Sequence, residues 1–412
     1  MTQARHLLIA CAMALLTGSP SYAGTENFEI GGSARVRSEF KNNSDFKSST
    51  SDYLDSTGSR FRLDMKFKPN DKVNVFFQPQ FTKVWGDVDY VPSGAAANTA
   101  MNSSGATHDT GLDVHQAYIS YLVSEPMSLV IGRKELNYGD QLLAGAVGWS
   151  HSGRAFDLIQ GSYKHSLGSV ELFGSTVKDT NVTTSGVGER SFSGVYSANR
   201  ISDSMQNVDA YVFSSNDNSV APKTSTMAYG VRLKSPIAAF DYRAEVTFEN
   251  VKAAKSTDEN QFDLEVGYVA HESSKTRVSA EYFSASRNFD QLYPTGHKWL
   301  GYADLFSRRN IGGFRVGAST QFAESWSLAL DYHSFRRTDT SLPAYKFSGA
   351  AYGVTGTDAA LASEADLVVG YKFDTAMSLE LGASRVNPGE YLKTNSGADA
   401  ASFYYLQVNT LF

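Results

Sequence analysis

The chain has 412 residues and a formal net charge of −6, a balance that argues against nucleic acid as a partner, because phosphate backbones select basic surfaces. A single cysteine stands against 22 tyrosines and 25 phenylalanines, so neither a disulfide framework nor a thiolate metal site is available. Mean hydropathy is −0.29, and beyond the N-terminal stretch no apolar run approaches the ~20 residues that a membrane-spanning helix needs.

The N-terminus reads as a secretory signal. Met1 to His6 carries Arg5, Leu7 to Leu16 is an apolar run of ten residues, and Ser21-Tyr22-Ala23 has the small-x-small form of a cleavage site. The expected division is a signal peptide over 1–23 and one domain over 24–412. Leu8-Ile9-Ala10-Cys11 spells a lipobox, but cleavage there would leave almost no apolar core ahead of the cysteine. Removal of the signal takes Cys11 with it.

From Phe28 onward the period is two. In Arg60-Phe61-Arg62-Leu63-Asp64-Met65-Lys66-Phe67-Lys68 every odd position is apolar and every even one charged. A strand sends successive side chains to opposite faces, so this segment has one apolar and one ionic face; a helix would scatter the charges. The same alternation carries Phe240 to Glu249, Phe262 to Tyr268, Trp326 to Tyr332 and Ala365 to Phe373. Short turns are expected at Lys68–Asp71, Ser124–Pro126, His165–Gly168, Ser235–Ile237 and Phe373–Ala376. Longer polar connections run over Lys41–Ser56, Trp85–His108, Arg287–Arg308 and Thr338–Ser363. In Tyr404-Leu406-Val408-Thr410-Phe412 one face is apolar and the last residue is aromatic, the form of strand that the barrel-assembly machinery reads.

These features predict an all-β fold: a transmembrane antiparallel β-barrel of the outer-membrane type, with about 18 strands. Only alternate residues face lipid in such a wall, which keeps mean hydropathy low while aromatic girdles raise the Tyr and Phe content. A soluble β-sandwich would need two packed sheets and would show domain breaks, and none is visible. The expected location is the bacterial outer membrane, with lipid and lipopolysaccharide as surroundings. A barrel of this size leaves an aqueous lumen, so function is expected in inward side chains and infolded loops.

Strand phase turns Arg35, Arg37, Arg60, Arg62, Lys66, Arg232, Arg243 and Arg315 inward, along with Asp64, Asp241, Glu245, Asp263, Glu265, Asp331, Asp366 and Glu380. Such charges either pair across strands or present donors to a passing carboxylate. Arg35, Arg37, Arg60 and Arg62 form the best electropositive patch, since only Asp64 and Glu39 lie near them in sequence. No catalytic constellation stands out: His115, His165, His271, His297 and His333 are scattered and lack a nucleophile motif. No enzyme, cofactor or metal is expected. Asp87-Val88-Asp89 and Asp52-Tyr53-Leu54-Asp55 are acidic loop spellings that calcium sites share, and Asn181-Val182-Thr183 is a glycosylation spelling without meaning in this compartment.

Three stretches carry a family resemblance. The first runs Gly132-Arg133-Lys134-Glu135-Leu136-Asn137-Tyr138-Gly139-Asp140-Gln141, then Gly145 and Trp149, to Gly153-Arg154-Ala155-Phe156-Asp157. The second is Leu292 to Phe306, and the third is Pro388-Gly389-Glu390-Tyr391-Leu392-Lys393. Their order and spacing resemble the alginate-export family. The resemblance implies an 18-stranded monomeric barrel whose lumen, narrowed by infolded loops and lined with arginines, passes a polyanionic sugar chain. In the first stretch the glycines allow a loop to turn tightly against the wall. Arg133, Lys134 and Arg154 are then expected beside Glu135, Asp140 and Asp157 in an ionic network at the constriction, either lining the path or pinning the loop. Leu142 and Gly148 depart from the family pattern, and the turn near Asp374 is too short for a long periplasmic plug. The functional expectation is an alginate-export-type channel for an anionic polysaccharide or other hydrophilic anion, with the pathway along Arg35, Arg37, Arg60, Arg62, Arg133, Lys134, Arg154, Arg243 and Arg315. The alternative is a small-solute uptake porin for acids, sugars or aromatics.

Overall fold

The computed structural model of the protein describes residues 27–85, 111–178, 189–218 and 222–412. The expected signal peptide, the Asp87–Asp89 and Asn181–Thr183 spellings and most of the Trp85–His108 connection lie outside these residues.

Eighteen antiparallel strands form among the described residues. In chain order they are β1 (Phe28–Asn42), β2 (Leu54–Asn70), β3 (Val73–Val84), β4 (Gly111–Ser124), β5 (Met127–Lys134) and β6 (Phe156–His165). Next come β7 (Gly168–Lys178), β8 (Arg190–Asn199), β9 (Asn207–Asp217), β10 (Thr224–Ile237), β11 (Phe240–Lys252) and β12 (Thr257–His271). The last six are β13 (Thr276–Ala285), β14 (Ile311–Ala323), β15 (Trp326–Arg336), β16 (Ala360–Lys372), β17 (Met377–Pro388) and β18 (Ala401–Leu411). Each strand pairs with its sequence neighbours, and β1 also pairs with β18, so the wall closes and no edge is left unpaired. A short helix, α1 (Glu390–Asn395), sits between β17 and β18.

The alternation does what the sequence predicts. Phe61, Leu63, Phe240, Val266, Leu330 and Tyr404 face outward and are exposed, ready for lipid. Aromatic pairs such as Tyr229–Phe248, Phe240–Tyr268 and Trp326–Tyr371, with centroids 5.7, 4.9 and 4.6 Å apart, mark the outer wall. Turns at one end are short, and connections at the other are long, the outer-membrane asymmetry. Two turns differ from expectation: β2 continues through Pro69 to Asn70 and the chain reverses at Asp71–Lys72, and β10 continues through Pro236 to Ile237 and the chain reverses at Ala238–Ala239. A proline at a strand end costs little, because few ladder bonds remain to be lost.

The inside is less empty than a plain aqueous lumen. On β6 to β9 the inward positions are aromatic: Phe156, Phe173, Phe192, Tyr196, Tyr211 and Phe213 are all buried. They pack under Leu136, Tyr138, Leu142 and Leu143 from the β5–β6 connection. The same cluster continues through Phe283 and Phe335 of the wall to Phe306, Tyr352 and Tyr391 of the outer connections after β13, β15 and β17. At these positions the wall is apolar on both faces, one toward lipid and one toward an internal plug, while other inward positions of the same strands, such as Gln160 and Asp209, are polar.

Candidate functional site

Two outer connections fold inward, residues 135–155 between β5 and β6 and residues 286–310 between β13 and β14, and they join. Ala144 and Tyr293 form an isolated parallel bridge. The Gly145 amide donates to the Tyr293 carbonyl at 2.8 Å, Tyr293 to Leu143 at 2.9 Å and Thr295 to Gln141 at 3.0 Å. Arg154 adds a side-chain bond to the Pro294 carbonyl at 3.0 Å, and burial brings its guanidinium down to about 10. Backbone satisfied in this way can sit inside the barrel without unpaired polar groups. Two glycines make the fit possible. Gly139 adopts φ +56° beside Arg232, and a Cβ at Gly145 would lie 2.3 Å from the Thr295 hydroxyl.

Three anchors hold the 135–155 loop to the wall. At its centre, Arg35 and Arg60 face each other across the β1–β2 ladder, an arrangement that like charges would ordinarily disfavour. Both donate to the carbonyls of Gly148 and Ser150, Arg35 at 2.8 Å to each and Arg60 at 3.3 Å to each. Arg37 donates to the Trp149 carbonyl at 2.7 Å while its guanidinium lies 3.8 Å from the indole centre, and Glu39 neutralises it at 2.6 Å. At the start of the loop, Glu135 accepts from His115 at 2.7 Å and from Arg62 at 3.2 Å. Burial alone would raise the Glu135 carboxyl, but His115 and Arg62 hold it below the usual carboxylate range. At the tip, Asp140 meets Arg232 at 2.6 Å and Lys234 at 2.8 Å. Burial opposes ionisation there too, yet Lys234 and Arg232 bring the Asp140 carboxyl down to about 2.

The expected arginine patch thus forms, but Arg35, Arg37 and Arg60 are engaged with loop carbonyls and Arg62 with Glu135, rather than left open to solute. The expected ionic network within the first motif is not assembled. Glu135 and Asp140 reach different partners on distant strands, and Lys134 turns inward to Gln160 at 2.7 Å. Arg133 and Asp157 pair with each other at 3.2 Å, on the outward face, because they continue the parity of lipid-facing Ile131 and Ile159. Arg243 and Arg315 point inward as expected, in a lattice with Asp263, Glu265, Glu281 and Asp331 at 2.7–3.5 Å. Asp52 caps the Asn43 and Asp45 amides at 2.6 and 3.1 Å, a loop staple; among the described residues no cluster of three acidic, His or Cys side chains suits a metal.

Two cavities flank the joined loops. The outer vestibule, about 1110 Å³, contains Arg154, Lys255, Arg287, Arg308 and Arg309, with Asp290 and Asp304 as the acids. The inner cavity, about 590 Å³, balances Arg35, Lys234, Arg243, Lys298 and Arg315 with Asp140, Glu265, Glu281, Asp331 and Glu380. Trp149 and His297 border both cavities. Their rings stack 3.8 Å apart, and Asp304 fixes the imidazole through Nδ1 at 2.8 Å. Neither His297 nor Trp299, whose indole N–H is unpartnered, was singled out from sequence as a pore residue, although both fall within the second motif stretch.

The Alginate export family matches residues 26–405. Sequence comparison with curated proteins gives no match. Among solved structures, the chain is similar to Acinetobacter baumannii OccAB2, with a TM-score of 0.64, 10% identity and coverage of 95% of this chain and 99% of that one. It is similar to Pseudomonas aeruginosa OpdK with vanillate, with a TM-score of 0.63, 10% identity and coverage of 93% and 98%. It is also similar to Pseudomonas aeruginosa OccK5 (OpdH), with a TM-score of 0.62, 11% identity and coverage of 95% and 99%. At these identities the likeness is one of fold.

Proposed function

The chain belongs to the alginate-export family, and from that premise, an outer-membrane channel rather than an enzyme, we propose that it passes a hydrophilic anion by diffusion past a constriction built from the 135–155 and 286–310 loops. The observation that carries this reading is the charge of the outer vestibule, where Arg154, Lys255, Arg287 and Arg309 meet Asp290 and Asp304, a fifth cation, Arg308, being buried and paired with Asp263. A concave surface of one sign concentrates counter-ions and raises their rate of entry. Arg287 and Arg309 contribute most. Arg287 is exposed, with Asp339 no nearer than 4.0 Å, and Arg309 lies over Tyr345 at 4.2 Å.

Anionic polysaccharide is the solute that the family name suggests. A small carboxylate is the second reading, and the size of the inner cavity favours it. About 590 Å³ closed above by the Trp149–His297 stack falls within the ~300–1,000 Å³ typical of small-molecule sites. In planar bilayers under a salt gradient, the protein should show a reversal potential of anion preference. Uronate oligomers of increasing length should then separate the readings, a chain channel being blocked by long oligomers and a small-solute channel by monomers alone. A cation-selective pore would remove the proposal.

A further inference from the structure

The outward wall of β13 to β18 is not uniformly covered by large apolar side chains. A trough of about 740 Å³ runs across it, and the register explains why. Ala365 lies between Tyr332 and Arg385 in one row. In the next, Ala383 lies between Leu367 and Tyr404. Small side chains flanked by large ones leave a groove with apolar walls facing the lipid.

The groove ends on charge. Outward positions on β15, β16 and β18 become polar at Ser334, Ser363 and Ser402, and on β17 the first polar outward residue is Arg385. Arg385 therefore stands at the outer edge of the apolar band, where headgroups begin. Its Nη1 donates to the Ser402 hydroxyl at 3.0 Å. Arg336, two residues outward of Ser334, donates from Nη2 to the Tyr282 hydroxyl at 3.4 Å. Each guanidinium has a neutral partner and no carboxylate among the described residues, unlike outward-facing Arg133, which Asp157 neutralises at 3.2 Å. Unneutralised guanidinium forks favour phosphate, which they meet with paired donors.

We propose that this face docks one phosphorylated, multi-acyl lipid of the outer leaflet, a lipopolysaccharide, with an acyl chain in the Ala365–Ala383 trough, one of its phosphate groups at Arg385 and a second at Arg336. The inference is independent of what the lumen carries.

Native mass spectrometry of the folded barrel in non-ionic detergent tests it, with phosphorylated hexa-acyl lipid A, the same lipid dephosphorylated, and inorganic phosphate as probes. The expected result is one retained lipid A per barrel, with at least tenfold preference over the dephosphorylated form. Arg336→Gln with Arg385→Gln should erase that preference, and Ala365→Phe should weaken both lipids by filling the trough. Gel mobility before and after heating confirms that each variant is folded. Equal retention of both lipids, many lipids held without discrimination, or a preference unmoved by the double substitution would overturn the proposal. So would inorganic phosphate bound as tightly as the lipid, which would leave the groove without a role.

Discussion

Trp149 and His297 stack face to face at 3.8 Å and 10°, each from a different infolded loop, and Arg37 covers the opposite face of the indole at the same distance. The three side chains make one sandwich between vestibule and inner cavity. Trp149→Ala should remove the middle layer and join the two spaces. Single-channel conductance is expected to rise severalfold, with the heat-modifiable gel mobility unchanged. A variant that conducts like the wild type would show that the partition lies elsewhere.

The paired cations Arg35 and Arg60 hold carbonyls, so their removal should do more than lower anion preference. Hydrogen bonds from charged groups contribute roughly 1.5–3 kcal/mol each. The double substitution Arg35→Gln, Arg60→Gln is therefore expected to free the 148–150 segment. Single-channel records should become noisy, and limited proteolysis should cut within 145–155. Quiet channels with only a reduced anion preference would mean that these residues line the path without anchoring the loop.

The Asp140 anchor has a definite pH window. Its folded carboxyl sits at about 2, below the ordinary 3.8, so the stabilisation is complete above about pH 4 and lost as pH falls toward 2. Allowing for partial solvent screening, it is worth on the order of 1–2 kcal/mol. In a His151→Gln background, conductance should hold steady from neutral pH to about 4 and become unstable below it; adding Asp140→Asn should show that instability at neutral pH. Loosening near pH 6 in the His151→Gln background would contradict the assignment.

His151 acts in the same direction, toward lower stability as pH falls, but over a window that opens at higher pH. Burial, with Arg37, Arg35 and Arg60 nearby, brings the imidazole down to about 2, so the folded state keeps it neutral. An unfolded imidazole takes a proton near 6.5, and the folded loop pays a growing penalty as pH falls below that value. His151→Gln should raise the heat-modification temperature at pH 4 relative to wild type and leave the difference at pH 8 unchanged. Equal differences at the two pH values would exclude proton linkage.

Neutralising the vestibule cations Lys255, Arg287 and Arg309 with Gln should halve anion preference or more, and should slow entry from the outer side. The same change at Arg243 and Arg315, already matched by carboxylates, should do less for selectivity and more damage to stability, since it strands buried acids.

The wall was largely legible, because period-two alternation is local and every strand repeats it. The inward aim of Arg35, Arg37, Arg60 and Arg62 followed from parity alone. Parity also held the answer for Arg133 and Asp157, which lie two residues from outward Ile131 and Ile159; reading the motif as a single ionic cluster overrode it. The partners of Glu135 and Asp140 were out of reach, because Arg62 and Arg232 meet them only when the 135–155 loop folds into the lumen, which spacing does not reveal. The aromatic inward faces of β7 to β9 were visible as residues, but their burial depends on Leu136, Tyr138 and Leu142 arriving from a loop.

The bridge between Ala144 and Tyr293 also bears on the order of assembly. Its two halves are separated by the whole run of strands β6 to β13, while the seam between β1 and β18 joins residues farther apart still, Ser33 with Leu411. Loop-closure entropy grows with the chain enclosed, so bringing the two loops together costs less of it than closing the wall. The constriction is therefore a property of the β6–β13 half of the wall and does not depend on the seam for its join.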